Sequence, residues 1–354
     1  MVGMNTPAST APATGPAPRA DASAPADLAA LPPGPVTSAE LASAVPDSRD
    51  RARYRRIWHG MYRRDDQPDD LRLRSIALAR TWPDGVLRGR SAALLWGDDS
   101  VPADVPPEIW LPSTRRSRPG RIYRYGTLPP SAITEIDGLR VTTPLRTCRD
   151  LAGDLGFEDA VVSVERLCAM VPELPAQLAA AVEHPAGRGA RDFAAVARAA
   201  DPGSGSATLT RARLELRAAG LDSFRHGHVA RPGHFRVELP LADPVARCVV
   251  FTPDDGATPS GRGRGAERVR EQLAHAGWTV IVVRGRAAPA GSSAVVGAHD
   301  AGGETVGPRG AGGPGMGDRA VSALRARWPS SEVRYPPADD PAADPHGMWS
   351  GPRR

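Results

Sequence analysis

Two long segments of the chain lack the composition that a folded core requires. The first 36 residues contain eight prolines among Ala, Ser and Thr, and residues 285–317 contain eleven glycines with almost no large apolar side chains. Such segments cannot bury enough surface to offset the conformational entropy that folding removes. The sequence therefore predicts a disordered arm over residues 1–35, a flexible insertion over 285–317 and, by the same reasoning, a disordered tail over 336–354.

The remaining length is enough for more than one folded domain, and the predicted fold class is multi-domain α/β. The stretch DPGSGS, residues 201–206, has the composition of a linker. We therefore place a short element at 36–66, an α+β domain at 67–200 and an α/β domain at 207–330 that carries the Gly-rich insertion.

The short element starts with a helix and continues into an arginine-rich ribbon. Thr37 or Ser38 followed by Glu40 predicts a helix start. Residues 49–64, RDRARYRRIWHGMYRR, interleave seven arginines with aromatic and apolar residues, which predicts a second helix running into a packed β-ribbon. Arginine donates two parallel hydrogen bonds to phosphate. The nucleic-acid-binding candidates here are Arg51, Arg53, Arg55, Arg56, Arg63 and Arg64.

The two later domains carry alternating helix and strand signals. Asp137-Gly138 lies between two strand-like runs and predicts a β-hairpin. Amphipathic stretches around it predict helices. The continuously apolar run TVIVV, residues 279–283, predicts a strand buried on both faces of a mixed sheet.

Charge and cysteine usage exclude several classes of chemistry. The formal net charge is +5, and all 45 basic residues are arginine, so no mechanism that needs a lysine can operate. Cys148, Cys168 and Cys248 lack the paired spacing of zinc sites, which predicts reduced core residues. The sequence shows no signal-peptide pattern and no apolar run of about 18 residues that could span a membrane. We expect a cytoplasmic protein with no membrane partner.

Three segments of the chain resemble a known family. They are GVLRGRSAALLWG (85–97), DGLRVTTPLRTCRDLA (137–152) and AGWTVIVV (276–283). They resemble an actinobacterial group that combines an AbiEi-antitoxin-like N-terminal half with a C-terminal domain related to very-short-patch-repair endonucleases, of the PD-(D/E)xK restriction-endonuclease-like fold. The resemblance covers residues 36–285 and resumes over 319–330. It implies a winged-helix-like N-terminal element, an AbiEi-like α+β middle domain and a restriction-endonuclease-like mixed-sheet C-terminal domain.

The resemblance also implies a metal-dependent nuclease site, from which this sequence departs. Such a site needs carboxylates on the first helix and on two adjacent strands to hold one or two divalent ions. Here Leu209 occupies the helix position, while Phe251 and Pro253 occupy positions of a glutamate and an aspartate. Glu238 stands where the first strand has an aspartate. We therefore expect no catalytic residue and no cofactor, and interpret the C-terminal domain as a degenerate nuclease.

Other ligand-type residues leave alternatives open. The remaining acids are Glu238, Asp243, Asp254 and Asp255. They form either a relocated magnesium site, which would make the protein an active DNA endonuclease, or solvated acids near a turn. His226 and His228 alternate along a strand, so they are either weak metal-ligand candidates or surface residues.

A further arginine-bearing helix completes the set of candidates. Residues 260–270, SGRGRGAERVR, lack the GK[ST] of a phosphate-binding loop, but Arg268 and Arg270 add to the nucleic-acid-binding candidates. The function we predict is an antitoxin-like, nucleic-acid-associated protein that binds DNA without sequence preference and in a salt-dependent way. The alternatives are the active endonuclease and a protein-interaction module that binds a toxin-type partner. No oligomeric state is predicted.

Overall fold

The computed structural model describes residues 31–184, 187, 189–204, 206–232, 236–253, 264–284 and 316–336. These residues form a mixed α/β structure, as predicted, and the chain divides into two compact units, Met1–Asp69 and Asp70–Arg354. The arm predicted over 1–35, the insertion over 285–317 and the tail over 336–354 lie almost entirely outside the described residues. No helix among the described residues has both the length and the apolarity needed to cross a membrane.

The N-terminal unit, Met1–Asp69, contains a three-stranded antiparallel sheet and two short helices. Its elements are β1 (Val36–Thr37), α1 (Ser38–Ala44), α2 (Ser48–Arg51), β2 (Tyr54–Trp58) and β3 (Met61–Arg64). The strand order is β1-β3-β2. Thr37 caps α1 as predicted, because its Oγ1 accepts from the Glu40 N–H at 3.2 Å while its own N–H donates to Glu40 Oε2 at 2.8 Å. The predicted second helix is only the single turn of α2, since the chain becomes extended from Tyr54 onward.

The β2–β3 hairpin is held to its unit from one side. Gly60 adopts a φ of +80° at the turn, which a residue with a side chain rarely adopts. Tyr54, at the start of β2, belongs to a core cluster with Val36, Leu41 and Val45. Its hydroxyl donates to the Pro32 carbonyl at 2.7 Å. The start of β2 is therefore packed against the core of the unit, as the aromatic residues of the ribbon predict.

The middle region, defined as residues 70–204, packs helices against a five-stranded mixed sheet of order β6-β5-β4-β8-β7. Its elements are α3 (Leu71–Thr81), β4 (Val86–Leu87), α4 (Gly89–Leu95), β5 (Glu108–Leu111), β6 (Ile122–Tyr125), β7 (Ile133–Ile136), β8 (Leu139–Thr142), α5 (Pro144–Asp154), α6 (Phe157–Met170), α7 (Leu174–Glu183) and α8 (Ala190–Ala199). The predicted hairpin is confirmed: Asp137 and Gly138 have φ values of +50° and +74° and join β7 to β8.

All three cysteines are buried and free, as predicted. Cys148 and Cys168 belong to the helical core that α5 and α6 form with α8. Burial raises the pKa of Cys168 to about 12 and the pKa of Cys248 to about 12. Because the thiolate is the reactive form, neither of these two thiols is a nucleophile near neutral pH.

The terminal region, defined as residues 206–336, contains a four-stranded mixed sheet of order β11-β12-β13-β14 and a separate β9–β10 hairpin. Its elements are α9 (Ala207–Ala218), β9 (His228–Ala230), β10 (Val237–Leu239), β11 (Leu241–Asp243), β12 (Cys248–Phe251), α10 (Arg264–His275), β13 (Thr279–Val282), α11 (Met316–Arg327) and β14 (Glu332–Arg334). Strands β12 and β13 run parallel, and the other neighbours in the four-stranded sheet run antiparallel. Pro240 separates β10 from β11, because proline has no N–H to donate to a ladder.

The four-stranded sheet is covered on both faces, which confirms the prediction for TVIVV. Val250 and Ile281 pack with α9 and α11 on one face. Val249 and Val280 pack with α10 on the other face. The alternation follows from the two-residue period of a strand. The result is a layer of sheet between two layers of helix.

A buried charge cluster joins α6 of the middle region to α9 of the terminal region. Glu165 is fully buried and accepts from the Asp201 N–H at 2.7 Å and from Arg213 Nη2 at 2.5 Å. The Thr210 hydroxyl donates to the same carboxylate. The boundary predicted at 201–206 therefore lies beside a polar contact that crosses it.

Candidate functional site

The β2–β3 hairpin places two arginines directly opposite each other. Its register pairs Arg55 with Arg63, and like charges in this position repel. Arg63 is compensated within the unit, because its Nη1 donates to the Gln67 carbonyl at 2.7 Å and its Nε lies 4.0 Å from an Asp69 carboxylate oxygen. Arg55 is exposed, and its Nη1 donates to the Ala52 carbonyl at 3.1 Å. Within the part of the chain that the structure describes, Arg63 is therefore the one of these two cations that has a carboxylate partner.

Two further arginines predicted to bind nucleic acid are partly withdrawn from solvent. Arg64 is held by Asp66, whose Oδ1 lies 2.7 Å from Nε, and by the Leu31 carbonyl, 2.8 Å from Nη1. The hydrogen bond from Arg64 lowers the pKa of Asp66. Arg53 is half-buried. We therefore regard Arg64, like Arg63, as a structural residue of the unit.

Three of the arginines predicted in the N-terminal unit stay open to solvent. Arg51, Arg55 and Arg56 are exposed, and none of them forms an ion pair with a described residue. Arg51 Nη2 donates to the Pro46 carbonyl at 2.9 Å. Because β2 is an edge strand and successive side chains alternate, Arg55 and Arg56 reach both faces of the ribbon. We call these three residues the arginine surface. Most of their N–H donors are available to a phosphate.

In the terminal region, apolar residues occupy positions that the resemblance assigns to metal ligands, and they lie on opposite faces of the sheet. Leu209 packs in the cluster on the α9 and α11 face, whereas Phe251 packs in the cluster on the α10 face. The β11–β12 register pairs Leu241 with Val250, and continuing it by one residue sets Pro240 opposite Phe251. These side chains have no oxygen that could hold a metal ion. Glu238 lies beyond this point, on β10.

A buried arginine lies at the end of β12. Arg270 of α10 places its Cζ 5.5 Å from the centroid of the Phe251 ring. Its Nη2 donates to the carbonyls of Thr252 and Pro253, at 3.0 and 3.4 Å. Arg270 is 6% exposed, so its guanidinium is directed into the protein and is withdrawn from any nucleic-acid backbone. Arg268 is exposed.

The acids proposed for a relocated metal site have different surroundings. Glu238 is exposed on β10, paired with Val229 of β9. Asp243 is fully buried, and its Oδ1 accepts from the N–H groups of Val245 and Ala246, both at 2.9 Å. The Ser223 hydroxyl donates to its other oxygen. The carboxylate of Asp243 thus holds the turn after β11, and it is buried there and not solvated. Asp254 and Asp255 lie outside the described residues.

The two candidate histidines also have different neighbours. His226 Nδ1 lies 2.6 Å from the Pro240 carbonyl, which can only accept, so this nitrogen carries a proton. The centroid of the His228 ring lies 6.1 Å from that of the Trp278 ring. Among the described residues, no three His, Cys, Asp or Glu side chains are grouped as metal ligands would be.

The sequence did not reveal a buried network in the middle region. Arg88 is 3% exposed, and its guanidinium lies 2.9 Å from Glu108, 3.3 Å from Asp150 and 2.6 Å from Asp154. Trp110 Nε1 donates to Asp150 at 3.3 Å. Burial raises the pKa of Glu108, although Arg88 opposes it. Burial also acts to raise the pKa of Asp154, but Arg88 and Arg124 hold it below its ordinary value.

The structure shows why position 89, beside this network, is a glycine. Gly89 has a φ of +51°, and a Cβ built on it would lie 2.5 Å from Glu108 Oε2. A side chain here would displace the carboxylate that Arg88 binds. The signal for this network was present in the two segments 85–97 and 137–152, which contain Arg88, Gly89 and Asp150. Their spacing alone does not show that they meet.

No family model, curated protein or solved structure matches this chain.

Proposed function

We propose that this protein binds the phosphate backbone of DNA through the arginine surface of its N-terminal unit. The observation that carries the proposal is the exposure of Arg51, Arg55 and Arg56 without an ion pair to any described residue. An anion would supply the charge partner that Arg55, which lies opposite Arg63, does not have among the described residues. Phosphate suits this role, because the planar guanidinium donates to two of its oxygens at once.

The element order of the N-terminal unit supports a winged-helix-like element. A strand, two helices and a hairpin follow one another, and the first strand pairs with the second strand of the hairpin. The hairpin would be the wing. Helix α2 has four residues, which is too short for a recognition helix in the major groove. Contacts would then be made to phosphates, which position a protein on DNA without reading its sequence.

We propose further that the terminal region is a restriction-endonuclease-like domain that does not cleave. A helix, antiparallel strands and a parallel pair connected by α10 support this fold. The loss of cleavage is supported by Leu209, Phe251 and Pro253, which stand at positions where the resemblance places a carboxylate. Arg270 adds a buried positive charge beside Phe251, which disfavours a divalent cation at the same place.

An AbiEi-like origin of the middle region is a proposal supported by the Arg88 network. The two segments that carry the resemblance, 85–97 and 137–152, meet in this network through Arg88 and Asp150. A buried ion cluster needs each partner in position. This gives a physical reason why both segments would be retained together.

The DNA-binding proposal is tested by fluorescence anisotropy of the full chain with a labelled duplex between about 50 and about 200 mM salt. We expect Arg55→Ala/Arg56→Ala to weaken binding about tenfold at the lower salt. The slope of log K against log salt should become shallower by about 0.9 for each phosphate that the variant no longer neutralises. Scrambling the duplex sequence should change the affinity little.

A matched control removes the same charge elsewhere. Arg116 and Arg118 are exposed residues of the middle region, so Arg116→Ala/Arg118→Ala lowers the net charge equally. It should leave the affinity near that of the unaltered protein. Equal weakening in both double variants would show that net charge, and not the hairpin, controls binding.

Cleavage is tested separately with supercoiled plasmid and Mg²⁺ or Mn²⁺. We expect no nicking above a buffer control. Nicking that Glu238→Ala abolishes would establish the active endonuclease instead. Nicking that persists in Glu238→Ala points to a contaminating nuclease, and repeating the assay after further purification decides between the two.

A further inference from the structure

A basic pocket lies where the middle and terminal regions meet, far along the chain from the arginine surface. It has a volume of about 450 Å³ and lies between the end of α8, helix α9 and the segment that follows α9. This size is within the range of pockets that hold small molecules. Its lining includes the four arginines Arg198, Arg213, Arg217 and Arg225.

The charge of the pocket favours an anion. Arg213 is neutralised by the buried carboxylate of Glu165. Two aspartates, Asp201 and Asp222, face the remaining three arginines. The contact between Arg217 and Asp222 spans 3.4 Å with both side chains more than half exposed, and such exposed pairs contribute little. Arg198 forms no ion pair with a described residue. A phosphate can therefore compete for these cations.

One wall of the pocket is rigid and has an unused donor. The Nη2 of Arg213 donates to Glu165 and, at 2.7 Å, to the Ala199 carbonyl, which holds the guanidinium in one orientation. The side chain is 9% exposed, and its buried Nε–H has no acceptor among the described residues. A buried donor without an acceptor costs free energy. Arg213 therefore forms a fixed part of the lining, and the three other arginines are the cations that a ligand can reach.

Leu221 and Phe224 also line the pocket, but they are only 2% and 1% exposed. The surface that a ligand can reach is therefore mainly that of the arginines, which suits an anionic ligand.

We propose that this pocket binds a small organic phosphate of about nucleotide size. Its phosphoryl oxygens accept from Arg198, Arg217 and Arg225. The site is in the C-terminal unit and does not depend on DNA binding by the hairpin.

The experiment is isothermal titration calorimetry of the full chain with ADP, and with pyrophosphate and adenosine as the two halves of that probe. We expect saturable binding of ADP and of pyrophosphate, and none of adenosine. Arg198→Gln/Arg225→Gln should weaken ADP binding by about tenfold or more. Arg217→Gln provides a second variant, in case Arg225, which donates to two backbone carbonyls, is also needed for local folding.

Matched controls separate this site from the others. Arg116→Gln removes one exposed charge outside the pocket and should leave ADP binding unchanged. Arg55→Ala/Arg56→Ala should also leave ADP binding unchanged, whatever it does to DNA binding. The proposal is overturned if neither ADP nor pyrophosphate binds saturably, or if ADP affinity is unchanged in both Arg198→Gln/Arg225→Gln and Arg217→Gln.

Discussion

The N-terminal hairpin and the interior of the C-terminal unit use the same side chain in opposite ways. On the hairpin, Arg55 and Arg56 are exposed and form no ion pair with a described residue. In the C-terminal unit, Arg88 and Arg270 are 3% and 6% exposed and are surrounded by carboxylates or carbonyls. In a chain without lysine, arginine has to serve both as a structural cation and as a surface cation. The role of an arginine in this chain therefore depends on its interaction partners more than on the residue type.

The largest expected effect is the loss of the Arg88 guanidinium. Arg88→Ala leaves Glu108, Asp150 and Asp154 with fewer positive partners in a buried site, and breaking a buried pair in this way costs about 3–5 kcal/mol. Chemical denaturation of the full chain measures the loss. Arg124→Ala is the control, because Arg124 binds the same Asp154 while 46% exposed, and should cost less than about 1 kcal/mol. Equal losses would contradict the assignment of Arg88 as the central ion.

A smaller loss is expected at Arg270. Arg270→Met removes two hydrogen bonds to backbone carbonyls and the contact with the Phe251 ring, which together contribute about 2–3 kcal/mol. Arg268→Met, two residues away on the exposed side of α10, should stay within about 0.5 kcal/mol of the unaltered protein. If Arg268→Met is the more destabilising variant, the inward orientation of Arg270 is wrong.

Two acids of the middle region should respond to pH with opposite signs. Burial raises the pKa of Asp98 above its ordinary 3.8 despite hydrogen bonds from Ser100, whereas Asp154 has its pKa lowered from the same value by Arg88 and Arg124, which outweigh burial. As the pH rises through 3.8, the unaltered protein should lose stability relative to Asp98→Asn. As the pH rises towards 3.8 from below, it should gain stability relative to Asp154→Asn, because a lowered folded-state pKa gives stability that is fully present above the unfolded pKa.

This pH prediction is measured by denaturation midpoints of the three proteins at about pH 3 and about pH 6. The comparison between the two variants cancels general acid effects. If both variants shift in the same direction relative to the unaltered protein, the nearby arginines do not give Asp154 a pKa shift opposite to that of Asp98.

The smallest effect on stability is expected on the arginine surface. Arg55→Ala and Arg56→Ala should each change the free energy of unfolding by no more than about 0.5 kcal/mol, although together they are expected to weaken DNA binding. Arg64→Ala is the contrasting variant, since it releases Asp66 and the Leu31 carbonyl. A large loss of stability in Arg55→Ala would mean that the hairpin arginines are structural and not available to DNA.

Local signals in the sequence predicted much of the fold. The cap formed by Thr37 and Glu40, the turn at Asp137-Gly138 and the buried strand at Thr279–Val282 are all confirmed. Each depends on residues that are close in the chain. The length of the second helix was overestimated, because the arginines of residues 49–64 fit a helix and a strand equally well.

The candidate site was less predictable. The arginines of residues 49–64 were all candidates, yet Arg63 and Arg64 bind Gln67, Asp66 and the Leu31 carbonyl. The network around Arg88 was missed altogether, because Asp150 lies 62 residues away in the chain. No spacing rule relates two such positions.

By itself, the sequence determined that the protein has no lysine chemistry, that its cysteines are core residues, and where most helices and strands lie. These properties follow from composition and from patterns of a few residues. Only the tertiary structure decided which arginines are structural and which remain open to a ligand. Burying a guanidinium is favourable only where a carboxylate or carbonyl from a distant part of the chain replaces its bound water. Whether such a partner is in reach is decided by the packing of the chain.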